Sequence, residues 1–221
     1  MIERTLIIKG QNFVYEDAQL TRNDARPITI EEGTKLLSTA QQLFNNVGIN
    51  IYLAFGTLLG AVRDKTIISG DEDVDVFIDC EEEVYNNLPY FQENGLKLIR
   101  YTKGKIFSFR LESHAYIDVY VLRPVTGFNI WSLYCNYLNM NITPKKFFKE
   151  YQDIYFLGIK CKCPKNPEKL LEFWYGKTWD TPIRGHNIFL YCEPSAYYWR
   201  RKGYYIKKAI FKLVGKEYHK K

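Results

Sequence analysis

Residues 73–79 read DVDVFID, an alternation of acidic and apolar side chains with the period of a β-strand. The even-numbered residues are all apolar and require a hydrophobic core on one face of that strand. Asp73 and Asp75 leave the opposite face, where their charges need water, partners or a cation. Any fold of this chain must therefore place a strand against a core and keep an acid-bearing face on the strand's other side.

The residues around this strand predict a fold that mixes helices and strands. A capping box at Thr29–Glu32 and an apolar period of 3.6 residues predict a helix that ends at Gly48. A short helix is expected over 58–63 and a longer one over 81–93. Strands are expected over 49–55, 96–101, 106–111 and 115–122. This part is therefore predicted to be α+β, with a mixed or largely antiparallel sheet flanked by helices.

The pattern becomes less regular after Pro124, and the sequence predicts a division there. Residues 1–124 are expected to form a core, and residues 125–221 a mainly helical C-terminal part packed on it. The expected elements of the second part are, in order, a helix after Pro144, a strand around 154–161, a helix that follows Asn166-Pro167 and ends near Gly176, and a basic amphipathic helix.

The composition is that of a folded globular protein. Of the 221 residues, 46% are hydrophobic and 25% are charged, which excludes a disordered tail or a disulfide-stapled miniprotein. The five cysteines lack the paired spacing of a disulfide framework, so we expect a reducing, cytoplasmic location. The longest apolar stretch, residues 51–62, falls short of the roughly 20 residues that span a bilayer.

The net charge of +6 is concentrated in one tail. Residues 197–221 carry nine Lys or Arg and one Glu, so the rest of the chain is slightly acidic and nucleic acid is not an expected partner. The apolar residues of this tail recur on one side, which predicts a basic amphipathic helix suited to peripheral contact with the inner face of an anionic membrane. A terminal helix docked on the core, with its lysines in water, explains the pattern equally well.

Acidic residues crowd the strand and its neighbours. Residues 71–83 hold eight of the 25 acids, a density that costs self-repulsion unless a cation relieves it. Asp73 and Asp75 share one face with Cα atoms about 7 Å apart, so both carboxylates can bind one ion. Asp118 lies in the apolar strand 115–122, where a carboxylate is costly unless it is paired or bound to metal. We therefore predict a site for Mg²⁺ or Mn²⁺ at Asp73 and Asp75, with Asp118 as the third candidate ligand. The alternative for Asp118 is a buried aspartate that only makes hydrogen bonds.

A phosphate-binding turn is predicted upstream of the acids. Gly56 and Thr57 lie between a buried strand and a helix N-terminus, where backbone N–H groups and a hydroxyl can hold a phosphate. Arg63 and Lys65 follow and can neutralise further phosphate charge. Each feature also has an ordinary explanation, since acidic runs are usually solvated, a Gly-Thr pair is usually a turn, and a surface Arg is often an ion-pair member. Their order along the chain favours a combined phosphate and metal site.

Two motifs resemble those of one protein family. The stretch FGTLLGAVR at 55–63, followed by DEDVD at 71–75, resembles the LicD/fukutin-related phosphotransferases, which have the nucleotidyltransferase fold. The stretch LEFWYGKTWDTP at 171–182 is similar to the family's Tyr-Gly…Trp…Thr-Pro signature. The chain departs from the family at residues 69–70, Ser-Gly where Pro-Trp is usual, and at Glu72, where Asp is commoner.

The resemblance implies a nucleotidyltransferase-like catalytic core over residues 1–124, in which Asp73, Asp75 and Asp118 are the family's metal carboxylates. It implies transfer of phosphocholine, glycerol phosphate or ribitol phosphate from a CDP-linked donor to a hydroxyl of a glycan or lipid-linked glycan. Asp118 is then either a third metal ligand or the base that accepts the acceptor's proton. Two alternatives stay open: a nucleotidyltransferase that releases pyrophosphate, and a catalytically inactive module at a membrane surface.

Overall fold

A computed structural model of the chain describes residues 2–20, 26–124, 131–135 and 140–182. Within these residues the chain forms eleven strands and five α-helices. The strands are β1 (Ile2–Ile8), β2 (Gln11–Asp17), β3 (Tyr52–Leu53), β4 (Asp73–Ile78), β5 (Lys97–Thr102), β6 (Ile106–Arg110), β7 (Tyr116–Pro124), β8 (Trp131–Cys135), β9 (Met140–Pro144), β10 (Tyr151–Phe156) and β11 (Ile159–Pro164). The α-helices are α1 (Ile30–Asn46), α2 (Phe55–Leu59), α3 (Glu81–Asn86), α4 (Leu88–Glu93) and α5 (Pro167–Tyr175).

The strands form one large mixed sheet and one separate hairpin. In the large sheet the strand order is β10-β11-β3-β4-β7-β6-β5, and β8 and β9 extend it from β7. β4 pairs parallel with β7, and β11 pairs parallel with β3, while the other pairs are antiparallel. The hairpin β1–β2 docks beside β5, where the Ala18 N–H donates to the Ile99 carbonyl at 2.9 Å. The predicted α+β fold with a mixed sheet is confirmed.

Helix α1 begins where the sequence predicts. Thr29 Oγ1 accepts the Glu32 N–H at 3.1 Å, and Glu32 Oε2 accepts the Thr29 N–H at 3.0 Å, which closes the capping box. The apolar side of the helix, including Leu36, Ala40 and Phe44, is buried, and the helix contacts β4 and β7. This apolar stripe holds α1 against the two strands that carry the predicted aspartates.

The strand expected over 49–55 is shorter than predicted. It is reduced to Tyr52–Leu53, because Phe55, whose φ is +35°, already starts α2. α2 then continues into a π-helical turn at Gly60–Asp64. A backbone turn thus follows the strand directly and brings the start of α2 beside β4, which it contacts.

Two expected helices are also shorter. The helix expected over 81–93 is divided into α3 and α4 at Asn87, and Pro89 lies in the first turn of α4, where its missing N–H costs least. The helix expected after Pro144 is a single 3₁₀ turn over Lys145–Phe148, because β10 begins three residues later. α5 has the predicted position, starting after Asn166 and capped at Gly176.

The described residues of the C-terminal part are richer in strand than the sequence predicts. They contribute β8 to β11 and one α-helix, α5. The strand expected around 154–161 is the hairpin β10–β11, because Leu157 and Gly158 take positive φ values of 54° and 74° and turn the chain. β11 pairs with β3, with Lys162 opposite Tyr52. The large sheet therefore continues across residue 124, where the sequence predicts a division between two parts.

None of the helices in the described ranges combines the length and the apolarity needed to cross a bilayer. Residues 197–221, for which a basic amphipathic helix is predicted, lie outside the described residues.

Candidate functional site

The three predicted aspartates converge on two neighbouring strands. β4 and β7 run parallel and in register, which places Asp75 opposite Asp118 and Asp73 opposite Tyr116. One carboxylate oxygen from each aspartate lies within 4.8 Å of the other two. Oxygen ligands of this kind suit Mg²⁺ and Mn²⁺. The residues present therefore fit the divalent cation that the sequence predicts.

The electrostatics of the cluster call for a positive charge. Asp73 and Asp75 are half-buried and Asp118 is buried. Burial raises the pKa of all three carboxyls, and the charges of neighbouring acids raise the pKa of Asp73 and Asp75 further. For Asp75 these effects bring the pKa to about 8. A bound divalent cation would offset this repulsion and keep the carboxylates ionised.

The predicted Gly-Thr turn supports the acid cluster directly. The Gly56 N–H donates to Asp75 Oδ2 at 3.1 Å, and Thr57 Oγ1 accepts the Asp75 N–H at 2.7 Å. A Cβ atom at position 56 would lie 3.0 Å from Asp71 Oδ2 and 3.4 Å from Asp75 Oδ2. A larger residue at position 56 would therefore crowd the carboxylates of Asp71 and Asp75, which would have to move. The sequence predicts that the Gly56 N–H binds a phosphate. In this structure the same N–H donates to Asp75.

Arg63 and Lys65, the other residues predicted for phosphate, contact neighbouring groups. Arg63 pairs with Asp64 through Nε at 2.9 Å and Nη2 at 2.7 Å, and Nη1 donates to the Trp179 carbonyl over 3.5 Å. The hydrogen bond to Asp64 raises the pKa of Arg63, and the charge of Asp71 adds to this shift. Lys65 Nζ donates to the Val62 carbonyl at 2.9 Å. These bonds place neither cation directly on the three aspartates.

The two motifs that carry the family resemblance meet in space. The Phe55 ring lies 4.8 Å from the Trp174 ring and 5.0 Å from the Tyr120 ring, centroid to centroid. Trp174 is buried, and its Nε1–H donates to Thr143 Oγ1 at 3.0 Å. Together with the contact between Arg63 and Trp179, these interactions pack the C-terminal motif against the turn beside the acid cluster.

The sequence reasoning missed two residues of this site. Arg100 on β5 places Nη2 at 2.7 Å from both carboxylate oxygens of Asp118, and Ser108 on β6 donates to Asp118 Oδ1 at 2.5 Å. Both residues are buried. The sequence did contain a signal for this contact: Arg100 follows Leu98 and Ile99 in a predicted strand. A buried arginine in such a strand needs an anion as its partner.

Comparison with known proteins identifies relatives of this chain. The family model described as LicD/FKTN/FKRP, nucleotidyltransferase domain, matches residues 48–166, more than half of the chain. This match confirms the resemblance stated from the sequence, and its description names the same fold.

Individual relatives are more distant. The chain is 28% identical over 176 residues to the ribitol-5-phosphate transferase FKTN of Homo sapiens, a match that covers 75% of this chain and 37% of that protein. It is 27% identical over 120 residues to an uncharacterized protein of Rickettsia prowazekii, with 53% and 42% covered. The chain thus spans about two fifths of the length of these curated relatives. A solved structure of the lincosamide antibiotic adenylyltransferase LnuA, lincomycin-bound, has a TM-score of 0.44 at 14% identity, covering 66% of this chain and 85% of that one.

Proposed function

The chain belongs to the LicD/FKTN/FKRP family, and on that premise we propose that it is a metal-dependent phosphotransferase. The proposed reaction moves a phospho-alcohol from a CDP-linked donor to a hydroxyl of a glycan or lipid-linked glycan. The observation that carries the proposal is the convergence of Asp73, Asp75 and Asp118, with carboxylate oxygens within 4.8 Å of one another. Such a cluster on two paired strands suits the binding of a nucleotide-linked diphosphate through a metal ion.

In this proposal Asp73, Asp75 and Asp118 hold Mg²⁺ or Mn²⁺. The bound ion would neutralise the donor's diphosphate and stabilise charge that develops on the transferred phosphoryl group and the leaving CMP. Gly56 and Thr57 act by holding Asp75, since each makes a hydrogen bond to that residue.

Arg63 and Lys65 are proposed to bind the phosphates of the donor. The bond from Arg63 Nη1 to the Trp179 carbonyl is long, at 3.5 Å, so a phosphate oxygen can replace it at little cost. Lys65 follows at the end of the π-helical turn and adds a second positive charge next to Asp64. The names of the curated FKTN relatives favour ribitol phosphate over phosphocholine and glycerol phosphate as the transferred group.

Donor binding can be measured before the acceptor is identified. We expect CDP-ribitol with Mg²⁺ to raise the thermal unfolding midpoint more than CDP-glycerol or CDP-choline does, because a ligand that binds the native state stabilises it. With a glycan acceptor, released CMP supports the proposed transfer. Pyrophosphate released from a nucleoside triphosphate would instead support the nucleotidyltransferase alternative.

The first prediction concerns the aspartates themselves. Asp73→Asn or Asp75→Asn should lower CMP release at least about a hundredfold, since metal stabilisation of the transition state contributes several kcal/mol. The matched control is Asp153→Asn, the same substitution at an exposed residue that pairs with Lys160. Circular dichroism should show that all three variants are folded. Full activity in the folded Asp73→Asn/Asp75→Asn double variant would remove both residues from the mechanism.

Peripheral membrane contact through residues 197–221 stays a prediction from the sequence, because these residues lie outside the described ranges. A lipid-linked acceptor would make such contact useful, since it would bring the enzyme to its substrate.

A further inference from the structure

We propose that Arg100 and Ser108 are positioning residues that hold Asp118 as a fixed metal ligand. The inference rests on the proposed metal site and assigns a role to two residues outside the aspartate cluster. It also favours the ligand role over the base role that the sequence leaves open for Asp118, because one of the oxygens of Asp118 lies within 4.8 Å of oxygens of Asp73 and Asp75.

A row of paired residues across four strands underlies the proposal. Asp75 on β4 is opposite Asp118 on β7, Asp118 is opposite Ser108 on β6, and Ser108 is opposite Arg100 on β5. Residues directly opposite one another in a sheet have side chains on the same face. The row therefore runs from the metal site across the sheet to Arg100 on β5, whose guanidinium reaches back to Asp118.

The hydrogen bonds along this row form a connected network. Arg100 Nε donates to Ser108 Oγ at 2.8 Å, and Ser108 Oγ donates to Asp118 Oδ1 at 2.5 Å. Arg100 Nη2 lies 2.7 Å from both Asp118 Oδ1 and Asp118 Oδ2. The Ser108 hydroxyl thus accepts from the arginine and donates to the aspartate, which fixes the direction of its hydrogen.

The network leaves one oxygen of Asp118 with capacity for a further bond. Oδ1 receives donors from both Arg100 and Ser108, which occupies its two lone pairs. Oδ2 receives Arg100 at 2.7 Å and only a long contact of 3.5 Å from the Tyr120 hydroxyl. Oδ2 can therefore bind a cation while Oδ1 stays anchored to the protein.

Burial makes the network rigid and selective for arginine. The side chains of Arg100 and Asp118 are 11% and 5% exposed, and Ser108 is fully buried. Only a planar guanidinium can donate from two nitrogens to a serine and a carboxylate at once, and a lysine ammonium lacks this geometry. Partners that orient a metal ligand in this way commonly set the affinity of the metal site.

The test measures binding of Mn²⁺ alone to the full chain by isothermal titration calorimetry. Ser108→Ala and Arg100→Lys keep the charge of the site and remove part of the network, so each should weaken Mn²⁺ binding about 10- to 100-fold. Asp75→Asn is the positive control, because it removes a proposed ligand. Leu36→Ala is the stability control, since it opens a cavity where α1 packs on the sheet and removes no atom of the network.

The outcomes separate this inference from the proposed function. If Ser108→Ala and Arg100→Lys bind Mn²⁺ like the unmodified protein while Asp75→Asn does not, the positioning role is overturned and the metal site stands. If Leu36→Ala weakens binding as much as Ser108→Ala, the loss reflects stability and the inference also fails. If the unmodified protein and Asp75→Asn bind Mn²⁺ equally, both the metal site and the inference fall. Should Arg100→Lys not fold, Ser108→Ala decides the question.

Discussion

The three aspartates of the cluster have the same side chain and different partners. Asp75 accepts a backbone N–H from Gly56, whereas Asp118 is held by Arg100 and Ser108. Burial is the largest cause of the raised pKa in each case, and Arg100 opposes it for Asp118. Without a metal ion, the carboxyls of Asp73 and Asp75 therefore both favour binding a proton, and the pKa of Asp75 is about 8.

This proton predicts how the stability of the metal-free protein depends on pH. An ordinary aspartate carboxyl has a pKa of 3.8, whereas the pKa of Asp75 is about 8 in the folded state. Between these two pH values the folded state therefore binds more protons than the unfolded state. Stability contributed by this group is therefore present at low pH and is lost as the pH rises toward 8. In EDTA, the thermal midpoint of the unmodified protein should fall more between pH 6 and pH 8 than that of Asp75→Asn.

Added Mn²⁺ should remove most of this difference, because the cation takes the place of the proton. Buffers with equal ionic strength and a low enthalpy of ionisation keep the salt concentration and the pH constant while the samples are heated. Parallel curves for the two proteins in EDTA would show that Asp75 titrates normally in the folded state.

Helix α2 and strand β4 act as one unit. The backbone of α2 donates to the Asp75 side chain, and the Thr57 side chain accepts from the Asp75 backbone. The two bonds run in opposite directions between the same two elements, so they fix both the position of the strand and the orientation of its carboxylate. Glycine at position 56 leaves room for two carboxylates, since a Cβ there would lie 3.0 Å from Asp71 Oδ2 and 3.4 Å from Asp75 Oδ2.

The second bond can be tested with a matched pair of variants. Thr57 is buried at 7% exposure, so Thr57→Val leaves the Asp75 N–H without a partner and should cost about 1–3 kcal/mol of unfolding free energy. Thr57→Ser keeps the hydroxyl and should retain most of that stability. Urea denaturation followed by circular dichroism measures both values. Equal losses in the two variants would mean that the methyl group, rather than the hydrogen bond, stabilises this contact.

At the scale of the whole molecule, residues on both sides of Pro124 share one sheet and one core. β11 pairs with β3, and Trp174 on α5 contacts Phe55 and donates to Thr143. The C-terminal motif therefore supports the turn that precedes the metal site, although more than a hundred residues separate the two in the sequence. Loss of the packing of this motif should therefore lower the stability of the whole described part of the chain.

Trp174→Ala should lower the unfolding free energy by about 3–5 kcal/mol, since it empties a fully buried aromatic position. Trp174→Phe keeps most of the ring and should lose clearly less. Because the sheet is continuous, unfolding measured by circular dichroism and by tyrosine fluorescence should coincide in one transition. Two separate unfolding transitions, of which Trp174→Ala shifts the earlier and leaves the later unchanged, would show that the C-terminal part folds independently.

The sequence by itself determined the features that depend on neighbouring residues. The alternation at 73–79, the capping box at Thr29–Glu32 and the helix after Asn166 are local patterns, and each is present in the structure. The spacing of Asp73 and Asp75 also follows from the strand period alone. These patterns were sufficient to select the acid cluster, and the lone Asp118 was visible as a charge inside an apolar strand.

The tertiary structure decided which distant residues meet. Strand pairing is non-local, and a shift of one residue would turn Asp118 to the other face of the sheet. The register of β4, β7, β6 and β5 therefore could not be deduced from the sequence. The contact between Arg100 and Asp118 depends on that register, so it could not be deduced either. The partner of the Gly56 N–H also depends on tertiary structure. The local sequence predicts a phosphate as its partner, whereas packing of α2 beside β4 places Asp75 there.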